Sequence, residues 1–124
     1  MLTEQQICLY ARQVILRELG QAGQARLCAS RVALVVSDAA AQPGAALVAR
    51  DYLARAGLQV VEAEPSVPVA LGEAATVEPA LQACADWLLG AWAAVETIKQ
   101  VAGVGAAAKQ NPTLSIAKAP AEVD

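Results

Sequence analysis

At 124 residues the chain has the length of one domain, roughly 100–200 residues being usual, and residues 1–124 are read as a single unit. A hydrophobic share of 56% excludes disorder, and with 3% aromatics and no Phe the core must be filled by Ala, Leu, Val and Ile in close contacts. Nine basic residues, scattered among twelve acidic ones, leave a net charge of −3 and argue against a nucleic-acid surface; the absence of His removes the commonest general base, the usual catalytic triad and most zinc sites.

Thr3 followed by Glu4, Gln5 and Gln6 predicts a helix start, because the Thr hydroxyl can accept from an orphan amide while Gln6 stands three residues on, as in a capping box. Ile7, Tyr10, Val14 and Leu16 then recur at roughly helical spacing to Leu19, with Gly20 placed to end the helix. A second, short helix is expected over residues 23–29. Residues 31–36, Arg-Val-Ala-Leu-Val-Val, read as a strand covered on both faces, and residues 37–44 as a loop. Residues 45–56 predict a helix with Leu47, Val48, Tyr52 and Leu53 on one side, closed by Gly57, before a strand over residues 58–62. Together these form a βαβ unit of about 30 residues.

Pro65, Pro68 and Pro79 restrict the next segment to an edge strand around residues 67–71, since Pro cannot donate to a ladder. Residues 80–101 predict a long Ala-rich helix, apolar around most of its circumference and therefore buried against the sheet or another subunit. Gly103 and Gly105 end it; residues 113–117 are expected to return as a strand, and the tail from Lys118 to fray. Asp86, Glu96 and Lys99 interrupt the longest apolar stretch, which argues against a membrane span. The N-terminus shows no signal-peptide pattern, and three widely spaced cysteines, Cys8, Cys28 and Cys84, fit a reducing, cytoplasmic setting as small buried hydrophobes.

Three stretches carry a family resemblance. The first runs from Leu2 and Thr3 through Gln6 to Tyr10-Ala11-Arg12-Gln13-Val14, then Glu18-Leu19-Gly20, Gly23-Gln24, Leu27 and Ser30-Arg31-Val32. The second is Tyr52-Leu53-Ala54-Arg55-Ala56-Gly57, and the third runs from Leu89-Gly90-Ala91-Trp92 through Glu96 and Lys99 to Gly103-Val104-Gly105. In this order they resemble the ThiF/MoeB/HesA superfamily, the E1-like bacterial relatives of ubiquitin-activating enzymes. The segment between Glu62 and Ala80 is too short to hold that family's middle. The resemblance implies a reduced Rossmann-like, three-layer α/β fold with a small, mostly parallel sheet, N-terminal helices and a long C-terminal helix.

Members of the family adenylate the C-terminal Gly of a ubiquitin-like protein with ATP and Mg²⁺, using a Gly-rich turn after the first strand to present bare amides to the phosphates. Here that turn, residues 37–44, keeps a single Gly, Pro43 removes a donor, and Asp38 sets a negative charge where a triphosphate would lie. It reads as an ordinary polar loop. Glu62 and Glu64 stand near the ribose position, with a solvated strand end as the plainer role. No counterpart of the Mg²⁺-binding Asp is found, and Cys84 has neither His nor a cationic cluster to activate it.

What the resemblance does carry over is Arg12, at the position of an arginine that reaches across a dimer interface to the partner's nucleotide phosphates; the plainer reading pairs it with Glu4 or another acidic residue. Trp87 and Trp92, five residues apart and so not on one narrow face, either fill core gaps or, with Tyr10, belong to an interface. Glu96 and Lys99 are expected to pair one turn apart. The reading is a pseudoenzyme without catalytic residues, cofactor or metal, acting as a homodimer or as a heterodimer with an E1-like relative, or capturing a ubiquitin-like or sulfur-carrier protein. The alternative is a minimal nucleotide-binding, adenylating enzyme of the ThiF type.

Overall fold

The computed structural model describes residues 1–105 and 113–116; the tail from Lys118, expected to fray, lies outside the described residues. The Thr3 capping box forms: its hydroxyl accepts from the Gln6 amide at 3.1 Å while its own amide donates to Gln6 Oε1 at 2.9 Å. It starts α1 (Glu4–Leu9), but the chain breaks at Tyr10 and continues as α2 (Ala11–Val14), so the single helix expected to Leu19 is two short ones. Neither fully buries a residue, and a helix with so little buried surface has little to extend it. Gly20, at φ +62°, opens α3 (Gly20–Ala29) instead of closing the preceding helix.

β1 (Arg31–Leu34) is shorter than expected, because α4 (Val36–Ala41) begins almost at once where a loop was predicted. Pro43 then opens α5 (Pro43–Arg55), its fixed φ and missing N–H suiting a first helical position. Gly57, at φ +105°, turns the chain into β2 (Gln59–Val60), shorter than the strand expected over residues 58–62. β3 (Val67–Val69) follows, then β4 (Glu73–Val77), the turn Pro79–Leu81, α6 (Gln82–Ala102) and β5 (Thr113–Ile116). β4 was not predicted: Ala and Glu are poor strand formers, and its partner β5 lies far along the chain.

The strands form a three-stranded sheet in the order β2-β1-β3 and a two-stranded sheet of β4 with β5, every pairing being parallel. Val32 stands opposite Val60 on one side and Val67 on the other, and Pro68 lies on an edge strand as expected. With Val32, Ala33 and Leu34 buried in succession, β1 is covered on both faces. A small parallel sheet, helices at the N-terminus and a long C-terminal helix make this a reduced Rossmann-like α/β fold.

The core centres on α5 against α6, and it is built from small residues. Ala45, Ala46 and Ala49 of α5 are fully buried and meet the inner face of α6, where Ala85, Leu89, Gly90, Ala93 and Ala94 are buried. Small side chains let two helices approach closely enough for dispersion contacts to replace the missing aromatics. Arg26 of α3 donates to the Ala102 carbonyl at 2.6 Å, placing a cation on the C-terminus of α6, which ends at Gly103 in the left-handed conformation. Glu96 and Lys99 pair at 2.8 Å as expected.

The cysteines correct a prediction. Cys8 and Cys84 are exposed and Cys28 is half-buried, so none fills the core as a small hydrophobe. Cys8 lies on a helix with no buried residue, and Cys84 falls outside the inner face of α6.

Candidate functional site

In an open parallel sheet, ligands bind beyond the carboxyl ends of the strands, where the strand order reverses. Here that point lies between β1 and β3, which leave the sheet on either side of the reversal. The crevice is laced shut. The Asp38 carboxylate accepts from the Leu71 amide at 3.0 Å, the Gln42 side-chain amide donates to the Gly72 carbonyl at 2.6 Å, and Val35 N donates to the Val69 carbonyl at 2.9 Å. Asp38, predicted only as a repelling charge, is thus a strap between the segments that follow the two strands.

The helix that would face a phosphate fares no better. α5 starts at Pro43, which has no N–H, and the Asp86 carboxylate packs directly on Gly44, so a carboxylate already faces the positive end of the helix dipole. Asp86 in turn accepts from Gln82 Nε2 at 2.9 Å. A cavity of about 590 Å³ adjoins this corner, and its ionisable lining residues, Glu73 and Asp86, are both acidic. Such a lining repels anions.

Removing the strap should have a measurable cost. Asp38→Ala leaves the Leu71 amide without its acceptor, and an orphaned donor of this kind costs about 1–3 kcal/mol. The expected result is a melting temperature lower by about 5–10 °C with the far-ultraviolet dichroism unchanged. No change in melting would show that water replaces the carboxylate freely.

Glu62 lies on the other side of β1, in a shallow hollow of about 290 Å³ with Leu34, Val36, Ala39, Arg50 and Val61 at the ends of β1 and β2. Glu64 is not among the residues lining it; its backbone takes φ +52° and its carbonyl accepts from the Arg31 guanidinium. Arg12 is exposed on α2 and, among the described residues, forms no ion pair, including the one expected with Glu4. Among the described residues no group of three or more His, Cys, Asp or Glu could hold a metal ion. No helix there is long and apolar enough to cross a membrane.

The second candidate is a surface. On α6 the largest apolar side chains stand outside its buried face: Trp87 is 56% exposed, Leu88 54%, Trp92 44% and Val95 53%. They line a groove of about 340 Å³ with Ala91 and Glu96. Trp87 and Trp92 fall on different i, i+4 rows, positions 87, 91 and 95 forming one and 88 and 92 the next, and both rings border one groove. Neither Trp is a core filler. Tyr52 of α5 meets Trp87 edge to face, with ring centroids 5.4 Å apart, which carries the apolar surface across to α5.

Tyr10 is not part of this groove. Its ring lies against Gly57, where an added Cβ would come within 3.1 Å of Cζ, so it docks the α1–α2 corner on the turn after α5. Leu88, Val95, Tyr52 and the strap residues Gln42, Leu71 and Gly72 went unassigned in the sequence. The one local signal for the groove was the pair of i, i+4 rows inside an apolar run. Set against protein families, curated proteins and solved structures, the chain gives no match.

Proposed function

We propose that this chain is a catalytically silent, reduced E1-like domain that works by binding protein, as a homodimer or as the partner subunit of an active E1-like relative. The observation that carries the reading is the laced crevice: Asp38 on the Leu71 amide and Gln42 on the Gly72 carbonyl occupy the place where a nucleotide would need bare amides. Pro43 and Asp86 close the N-terminus of α5 to a phosphate. The exposed apolar face of α6 supports binding as the activity, because large patches of this kind mark interaction sites. Two exposed thiols, Cys8 and Cys84, support a reducing cytoplasmic setting.

The test is thermal melting during titration with ATP and Mg²⁺. The melting temperature is expected to stay constant. A ligand that bound the folded state would stabilise it by about 2.7 kcal/mol at a hundredfold excess over Kd, a rise of several degrees that would overturn the reading. The rival, a minimal nucleotide-binding enzyme that adenylates a ubiquitin-like or sulfur-carrier protein, draws support from Glu62 in the hollow beside β1 and β2. It requires that rise, and requires Glu62→Gln to diminish it.

Arg12 is free to act outside its own chain, and the resemblance assigns it to phosphates of a partner subunit. With an active relative as partner, Arg12→Ala is expected to leave assembly intact and slow the partner's adenylation. Unchanged turnover would remove this role.

A further inference from the structure

We propose that the hollow at the carboxyl ends of β1 and β2 binds a free aliphatic α-amino acid, with Arg50 on its carboxylate and Glu62 on its ammonium group. The inference goes beyond the protein-binding reading and does not depend on it. It starts from two charges. Arg50 of α5 and Glu62, just past β2, both line this hollow of about 290 Å³. They are opposite in sign, yet no ion pair joins them, and among the described residues neither makes an ion pair or a side-chain hydrogen bond with any other group. Arg50 is half-buried, so a guanidinium with five N–H donors is partly withdrawn from water and receives no protein acceptor in exchange. An acceptor supplied from outside would offset that loss.

The fold presents both charges to one space. α5, which carries Arg50, packs against α4 and β2. The Val61 amide donates to the Val32 carbonyl at 2.8 Å, so the chain is still fixed to β1 at the residue before Glu62. Buried Leu34 comes from β1, and α4 adds Val36, Ala39 and Ala40. Val36, 78% exposed, leaves hydrocarbon at the rim for a ligand to cover. The carboxyl ends of parallel strands are also where open α/β sheets take their ligands.

The chemistry selects the ligand by exclusion. A simple anion would meet the Glu62 carboxylate and a simple cation the Arg50 guanidinium, and like-charge contacts of this kind are how a site rejects the wrong ligand. A molecule that carries a carboxylate and an ammonium group on one carbon meets neither obstacle. The Arg fork takes a carboxylate through two parallel N–H donors, and an ammonium group gives Glu62 a charge-assisted hydrogen bond. The other lining side chains are all hydrocarbon, which suits an aliphatic side chain on the ligand. Size agrees. Pockets for drug-sized ligands run from about 300 to about 1,000 Å³, so this hollow suits a small molecule and is too small for a nucleotide.

The test is titration of the isotope-labelled full chain with L-leucine, read by amide chemical shifts. The amides of Val36, Ala39, Val61 and Glu62 are expected to move saturably, with a Kd of about 0.1–1 mM. Isocaproate, which lacks the amine, and isoamylamine, which lacks the carboxylate, are expected to bind the same unaltered protein about tenfold more weakly or worse. That comparison needs no variant to fold. Arg50→Met, which keeps the apolar stem and removes the charge, and Glu62→Gln should each weaken L-leucine binding by about tenfold with the far-ultraviolet dichroism kept. The absence of a saturable shift with L-leucine overturns the proposal. So does a response centred away from the hollow, equal binding of isocaproate or isoamylamine, or full affinity in either folded variant. The ATP melting titration decides the silent-domain reading by a different ligand, so that reading and this site can fail separately.

Discussion

Gly90→Val is expected to destabilise the protein by about 3 kcal/mol, the upper end for forcing extra methyl groups into a packed interior. A Cβ at position 90 would stand 2.6 Å from the Ala45 carbonyl oxygen and 2.6 Å from Val48 Cβ, both on α5. One of these is backbone, so no rotamer change relieves the clash and the two helices must part. Helix propensity acts the other way, since replacing Gly by Ala in a helix interior returns about 1 kcal/mol. The packing term is the larger, and Gly90→Ala is therefore also expected to destabilise, by about 1–2 kcal/mol. Urea denaturation reads both variants as a lower midpoint at unchanged slope. Gly90→Ala more stable than the parent would show that α5 and α6 pack less tightly than described.

The second large effect is at the neighbouring residue. Leu89 is 1% exposed on the inner face of α6, and Leu89→Ala is expected to cost about 3 kcal/mol through lost transfer energy and the cavity left behind. Leu88→Ala removes the same atoms from the opposite face. Measured where the chain is monomeric, it should change stability by no more than about 0.5 kcal/mol. Against a total stability of about 5–15 kcal/mol, the Leu89 variant is the one that threatens folding. The pair thus separates the buried face of α6, which holds the domain together, from its exposed face. Equal losses at both positions would mean that the outer face of α6 is covered within its own domain.

Much of the architecture was legible because it is encoded locally. The capping box at Thr3, the glycines at Gly57 and Gly103, and the apolar run of β1 each act within a turn or two. Helix limits at Pro43 and Gly20 were misplaced for a related reason. Pro opens a helix as readily as it breaks one, and the α1–α2 segment, with no fully buried residue in either helix, had little tertiary support to make it continuous. The candidate site was half legible. Asp38 was singled out from its charge alone. Its bond to Leu71 could not be foreseen, because that partner is 33 residues away, in a segment expected as an edge strand that in fact ends at Val69.

What the sequence determined by itself is the class of the molecule: a small α/β domain without histidine chemistry, with an alanine-rich core and a long final helix. What only the tertiary structure decided is orientation. A helix apolar around most of its circumference does not say which side goes in; the alanines of α5, some 45 residues earlier, pack on the side of α6 that carries Leu89, Gly90, Ala93 and Ala94 and leave its tryptophans outside. The same holds at β4, a strand made by its partner rather than by its own composition. Local preference acts through a residue's neighbours in the chain, whereas the choice of face depends on shape complementarity between segments that meet only after folding.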